Sequence, residues 1–326
     1  MNQEKAIFIH SLFRAGSTYL FNKFREKNSF CTYYEPLHHD LARLEKDSLD
    51  IYKRDEIAAK AMNHPTLNKP HFYEFENAFN DISTSLPYYD TDFAYKEFFK
   101  VEKHQELKTY IDHLIHSAPK SSIPVFQFNR SSCRIDWFKE EYPQSLNIFL
   151  LRNPRDQFES YVSRGKLGKN VFLAINLYIV LYNKTAMQYL FHKKPNISFS
   201  GDTQQDLQVC FKLSTKLPLK KHYEIFYYIW KYSTLHAEKY ADLIIDMDKL
   251  NDNIDYMNKI KHTLSEYSNI PINFDDYKIK QNTKYSLKDT VFSNIEQSIN
   301  QDFGYDINGN LKINIKLQTS GFINTL

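Results

Sequence analysis

The feature that most constrains this chain is an apolar run of strand length that breaks into a glycine loop and resumes as a helix. Ala6-Ile7-Phe8-Ile9 reads as a buried strand, and Leu12-Phe13-Arg14-Ala15-Gly16 reads as a loop. Leu20, Phe21 and Phe24 then fall on one face of a helix expected over about 17–27. Strand, loop and helix in this order form an anion site. The backbone N–H groups of a first helical turn and the helix dipole both point at a negative ligand. Gly16 lets the chain approach such a ligand closely, while Ser17 and Thr18 add hydroxyl donors.

The loop is not a Walker A sequence. Setting Gly16 as the second glycine of G-x-x-x-x-G-K-[ST] places Ser11 at the first glycine and Ser17 at the lysine. The cation lies before the glycine instead, at Arg14. A loop of this kind suits a phosphate ester other than a nucleoside triphosphate.

Composition narrows the field further. A chain of 326 residues with 42% apolar residues can bury a sizeable α/β core, and only seven glycines argue against a turn-rich sandwich or barrel. The 24 Tyr and 25 Phe are read as core and surface filling, not as binding platforms. A net charge of +3, with a pI near 8.4, lacks the basic excess of a dedicated nucleic-acid binder. Cys31, Cys133 and Cys210 are odd in number and widely spaced, which supports neither a zinc site nor a disulfide framework. No signal sequence is read at the N-terminus, and the apolar stretch from Val171 to Tyr182 is too short to span a bilayer. A cytoplasmic protein without a transmembrane segment is expected.

Further strands are expected at Phe30–Tyr34, Ile123–Phe128, Leu146–Leu151 and Leu243–Ile245. Pro36 ends the second of the chain's strands and leaves Glu35 on its edge. After the fourth, Asn153 as N-cap, Pro154 and Asp156 make a strong helix start, so Arg152 stands at a strand end and Ser160 about two turns into the next helix. The polar stretch 41–120 reads as a cap insertion and 170–240 as a helical insert, both within one domain spanning 1–326. Helices are also expected around Tyr223–Tyr240 and Ile254–Tyr267. The tail offers a hairpin, Tyr305–Ile307 and Leu311–Ile315 about Asn308-Gly309.

Three segments together resemble the sulfotransferases that use 3′-phosphoadenosine-5′-phosphosulfate (PAPS). Arg14-Ala15-Gly16-Ser17-Thr18 resembles the Arg-x-Gly-[Ser/Thr]-[Ser/Thr] form of the carbohydrate branch. Arg152 followed by Ser160 resembles the family's 3′-phosphate motif, and Tyr34-Glu35-Pro36-Leu37 resembles the segment after its second strand. The resemblance implies an α/β, P-loop-like three-layer fold, with a central, mostly parallel sheet flanked by helices, plus helical insertions. It implies PAPS as cofactor, with no metal, and a carbohydrate or glycoconjugate acceptor presenting a hydroxyl or amine. Arg14, Ala15, Gly16, Ser17, Thr18 and Tyr19 would hold the 5′-phosphate, and Arg152 and Ser160 the 3′-phosphate.

Sulfuryl transfer needs a base for the acceptor proton and positive charge at the departing phosphate. Glu35 is the candidate base and Arg14 the candidate leaving-group stabiliser, with His38 and His39 as competitors for the base. Asn129, Arg130 and Arg134 either line the acceptor site or brace the sheet, and Arg155 reaches either ligand or solvent. Lys280, Lys284 and Lys288 stand where the family supplies a late basic loop, without its usual Arg-Lys-Gly. Asp246 mimics a Walker B aspartate. The rival readings are a P-loop kinase-type phosphotransferase using Mg-ATP and a non-catalytic nucleotide-binding protein.

Overall fold

The structure is a computed structural model that describes residues 5–48, 72–79, 84–162, 170–192, 197–279, 284–306 and 311–313. In chain order the elements begin with β1 (Ile7–Ser11), α1 (Ser17–Arg25) and β2 (Phe30–Tyr34). Short 3₁₀ turns follow, among them His39–Arg43, Tyr73–Ala78 and Thr91–Phe93. Then come α2 (His104–Ser117), β3 (Ile123–Phe128), α3 (Ile135–Glu141), β4 (Leu146–Leu151) and α4 (Pro154–Val162). The helices α5 (Val171–Tyr182), α6 (Lys184–Phe191), α7 (Thr203–Ser214) and α8 (Leu219–Tyr240) succeed one another. The chain closes with β5 (Leu243–Asp246), α9 (Met247–Asp252), α10 (Ile254–Ser268), α11 (Asp289–Asp302), β6 (Phe303–Tyr305) and β7 (Leu311–Ile313). Two compact units result, Met1–Arg152 with Ala237–Lys280, and Asn153–His236 with Gln281–Leu326.

The first unit holds a five-stranded sheet in the order β2-β3-β1-β4-β5, with every pairing parallel. Side chains alternate across it. Ile7 and Ile9 of β1 pack with Leu20 and Phe24 of α1 and with Ile260 and Leu264 of α10. Ala6 and Phe8 take the other face, with Leu107, Ile111 and Leu114 of α2 and with Trp137 and Phe138 of α3. Covering both faces is what a parallel sheet requires, and it explains why these strands read as nearly unbroken apolar runs. The result is the α/β, P-loop-like three-layer architecture expected from the sequence.

The middle strand carries a buried histidine next to its final residue, Ser11. His10 is fully buried, its Nδ1 2.6 Å from Ser131 Oγ and its Nε2 3.2 Å from Asn147 Oδ1. Asn147 Nδ2 donates onward to Asp242, so its Oδ1 is left to accept from His10.

Because the strands are parallel, their carboxyl ends share one edge, and the order of strands reverses about β1. Ligands of open α/β sheets bind at that reversal. The loop after β1, Glu35 after β2, Asn129 and Arg130 after β3, and Arg152 after β4 all stand on this edge.

In the second unit, Asn153 caps α4 through its Oδ1, which accepts from Arg155 N and Asp156 N. The helix α5 buries every residue from Leu173 to Val180. The hairpin is present as antiparallel β6 and β7, with Tyr305 opposite Leu311; residues 307–310 of its turn lie outside the described residues. Among the described residues no helix is long and apolar enough to cross a membrane.

Candidate functional site

The β1–α1 loop is built by its backbone. Arg14 has φ 66° and Gly16 has φ 99°, both left-handed. Gly16 is required twice over. Its φ strains any side chain, and a Cβ there would stand 3.0 Å from Met247 Cε. The loop is tied by Ala15 N donating to Leu12 O (3.3 Å) and Tyr19 N to Gly16 O (3.1 Å). No side chain caps α1, and its first turn carries no acidic residue, which suits an anionic cap. The Tyr19 N–H donates back to Gly16 O, and the Tyr19 hydroxyl donates to Asp276 (2.6 Å). Thr18 Oγ1 stands 3.4 Å from Tyr34 OH.

Asn129 gathers the loop from the other side. Its Oδ1 accepts from Ser11 Oγ (2.6 Å), Ser17 Oγ (3.2 Å) and Gln127 Nε2 (3.2 Å). A carbonyl oxygen offers two lone pairs. Three donors on one oxygen mean that Ser17 can turn its hydroxyl to a ligand while Ser11 keeps Asn129 satisfied.

Glu35 lies at the opposite end of the same amide. Its carboxylate accepts from Asn129 Nδ2 on Oε1, and from Asn129 N (3.1 Å) and Arg130 Nη1 (2.7 Å) on Oε2. Its own N–H continues the β2–β3 pairing by donating to Gln127 O (2.8 Å). Glu35 is only 3% exposed and has φ 49°, an unfavourable conformation for a side-chain-bearing residue ahead of proline. Burial pushes its carboxyl above the usual range, while Arg130 and Asn129 pull in the opposite direction. Arg130 in turn donates Nη2 to Tyr95 OH (2.9 Å) and lies between the rings of Phe13 and Tyr95, 5.1 and 5.0 Å from their centroids. Arg134, fully buried, donates Nη2 to Phe93 O and Arg130 O; burial lowers its guanidinium to about 10.

The histidines that compete with Glu35 are engaged otherwise. His38 Nδ1 accepts from Asp40 N (3.2 Å) and so caps the turn His39–Arg43. His39 Nδ1 lies 3.1 Å from Tyr95 OH, and burial, with Arg130 and Arg43, pushes its ring down to about 3. Such an imidazole is a weak proton acceptor at neutral pH. His38, His39 and Asp40 also bring one ligand atom each within 4.8 Å of one another, a spacing that can hold a metal ion. The two guanidinium groups that depress His39 oppose a dication at the same place.

Arg152, 7% exposed, donates Nη1 to the carbonyl of Arg14 (2.9 Å) and so stands directly against the loop. Ser160 lies in α4, within the second unit. The structure thus brings Arg14, Gly16, Ser17, Glu35 and Arg152 onto one edge of the first unit, and Ser160 belongs to the other. Arg155 is paired with Glu296 (2.7 Å) and Asp289. The segment bearing Lys284 and Lys288 is tied to α4 by Tyr285 OH on Asp156 (3.1 Å) and Ser286 N on Glu159 (2.7 Å); Lys280 lies outside the described residues. Asp246 is a helix cap: its Oδ1 accepts from Asp248 N and Lys249 N at 3.1 Å each.

Sequence reasoning left Asn129 and Arg130 undecided and did not single out Tyr95. Nothing in their local sequence announces a carboxylate partner, because the pairing depends on β2 lying beside β3.

No protein-family model matches the chain, and no curated protein matches it. Among solved structures, the crystal structure of sulfotransferase STF9 from Mycobacterium avium is similar over 92% of this chain and 69% of that one, with 11% identity and a TM-score of 0.41.

Proposed function

We propose that this chain is a PAPS-dependent sulfotransferase, with Glu35 as general base and a hydroxyl or amine of a carbohydrate or glycoconjugate as acceptor. The observation that carries the reading is Asn129. It joins the Ser17 hydroxyl of an uncapped glycine loop to a buried carboxylate at the next strand but one, so an anion site and a base stand on one edge.

The residues suit the cofactor's 5′-phosphate end. Gly16 allows the left-handed turn that opens α1 while packing closely against Met247, Ser17 can release its hydroxyl, and the first turn of α1 offers its dipole. PAPS, when bound, supplies an activated sulfuryl group and a phosphate leaving group. Arg14 would place positive charge at that phosphate, and Arg152 would hold the 3′-phosphate. Glu35 would take the acceptor's proton. A carboxyl raised by burial accepts a proton more readily than an exposed one.

Calorimetric titration tests this directly, with adenosine 3′,5′-bisphosphate in one series and ATP plus Mg²⁺ in the other. The expected result is preferential binding of the bisphosphate without added metal. Preference for Mg-ATP would replace this reading with the kinase, and binding of neither would remove both.

A further inference from the structure

A carboxylate can accept about four hydrogen bonds, two on each oxygen. Glu35 Oε2 has both of its places filled, by Asn129 N (3.1 Å) and Arg130 Nη1 (2.7 Å). Oε1 has one, from Asn129 Nδ2, which leaves it a lone pair for an incoming proton. The carboxyl group is therefore held at both oxygens, doubly at Oε2 and singly at Oε1.

What holds Oε2 is itself fixed through both terminal nitrogens of Arg130. Arg130 is 2% exposed, with Phe13 of the anion loop against one part of its guanidinium and Tyr95 against another. Its Nη2 is bonded to Tyr95 OH, whose oxygen also lies 3.1 Å from His39 Nδ1. Glu35, meanwhile, keeps a left-handed backbone (φ 49°) that only surrounding bonds can maintain.

From this geometry we infer that Arg130 is a positioning residue: it acts through Glu35, fixing the carboxyl's orientation and setting the pH at which it gives up its proton. The functional meaning of this inference rests on Glu35 being the base. Other groups also bear on that carboxyl. Tyr34 adjoins it from β2, Tyr95 from the segment after Thr91–Phe93, and Asn129 from the end of β3. Further out, Arg130 and Arg43 act on His39 and Asp40, and Arg14 acts on Tyr34. Arg130 is the foremost of the influences that oppose burial, so its removal should leave the carboxyl protonated to higher pH.

The test needs no cofactor. Infrared spectra of the full chain are followed against pH, and the protonated-carboxyl band of Glu35 is identified by its loss in Glu35→Gln. In Arg130→Met the midpoint of that band should rise by about one to three pH units, the range set by losing an opposite charge at contact distance. Arg130→Lys should return it most of the way. An unchanged midpoint in Arg130→Met would overturn the inference, and so would a shift that Arg130→Lys leaves uncorrected.

Should Arg130→Met fail to fold, the double variant with Glu35→Gln decides. It carries no unpaired buried charge, and a folded double variant supports the pairing. A double variant that remains unfolded assigns Arg130 to bracing Phe13 and Tyr95 instead, against the inference. Absence of bisphosphate binding in the calorimetry would remove the sulfotransferase reading while the infrared result still reported on Arg130, so the two failures are distinguishable.

Discussion

The two left-handed residues of the site other than glycine, Arg14 and Glu35, are held in different ways. Arg14 sits in a loop closed by bonds between near neighbours, Ala15 to Leu12 and Tyr19 to Gly16. Glu35 is held by side chains 94 and 95 positions away, Asn129 and Arg130. The turn of the glycine loop is thus closed locally, with Arg152 and Asn129 adding bonds to Arg14 O, Ser11 and Ser17 from other strands. The carboxylate's geometry is tertiary, and it exists only because the sheet sets β2 beside β3. A local device and a tertiary one should fail independently, and variants can separate them.

The largest effect is expected from Glu35→Gln. Turnover should fall about 10²–10⁴-fold, the usual contribution of a general base, while calorimetry finds bisphosphate affinity nearly unchanged. Loss of affinity in the same variant would mean that loop and carboxylate are one device. Arg152→Ala comes next, because a charge-assisted bond to phosphate is worth about 1.5–3 kcal/mol. Affinity for the bisphosphate should drop by more than affinity for the analogue lacking the 3′-phosphate. Equal losses would assign Arg152 wholly to the Arg14 carbonyl, making it part of the loop.

Gly16→Ala should cost about 1–2 kcal/mol for the left-handed backbone, plus displacement of Met247. It should weaken anion binding yet leave the infrared titration of Glu35 where it was; a moved titration would show the loop reaching the base through Ser17 and Asn129. The smallest effect is expected from Asp246→Ala. Losing this cap should lower stability by about 1 kcal/mol, read by thermal or urea unfolding, with no change in nucleotide affinity. A change in affinity would return Asp246 to the site.

How much of this was legible in the sequence follows the same division. The strands β1 to β4 stand where their apolar runs place them, and the capping of α4 by Asn153 could be read from three adjacent residues. Glu35 could be marked because Pro36 closes the strand beside it. The task of Asn129 and Arg130 could not be read, since strand order is a property of the whole sheet. Helical stretches within 41–120 were legible, but the apolar face of α2 was not singled out: Leu107, Tyr110, Ile111, Leu114 and Ile115 have helical spacing within a segment whose overall polarity hides it. Arg155 shows the converse. Its place beside a phosphate-type motif suggested a ligand, and only the structure supplies Glu296 and Asp289 as its partners.

His10 has a consequence for how the sheet finds its alignment. Apolar β1 side chains would tolerate either face, because both sides of the sheet are oily. A slip of one residue would carry the imidazole to the α1 side, among Leu20 and Phe24, and leave Ser131 and Asn147 without it. Each buried polar group so stranded costs about 1–3 kcal/mol. One histidine in an oily strand therefore serves as a registration mark, penalising misaligned sheets in which the loop and the carboxylate would never meet.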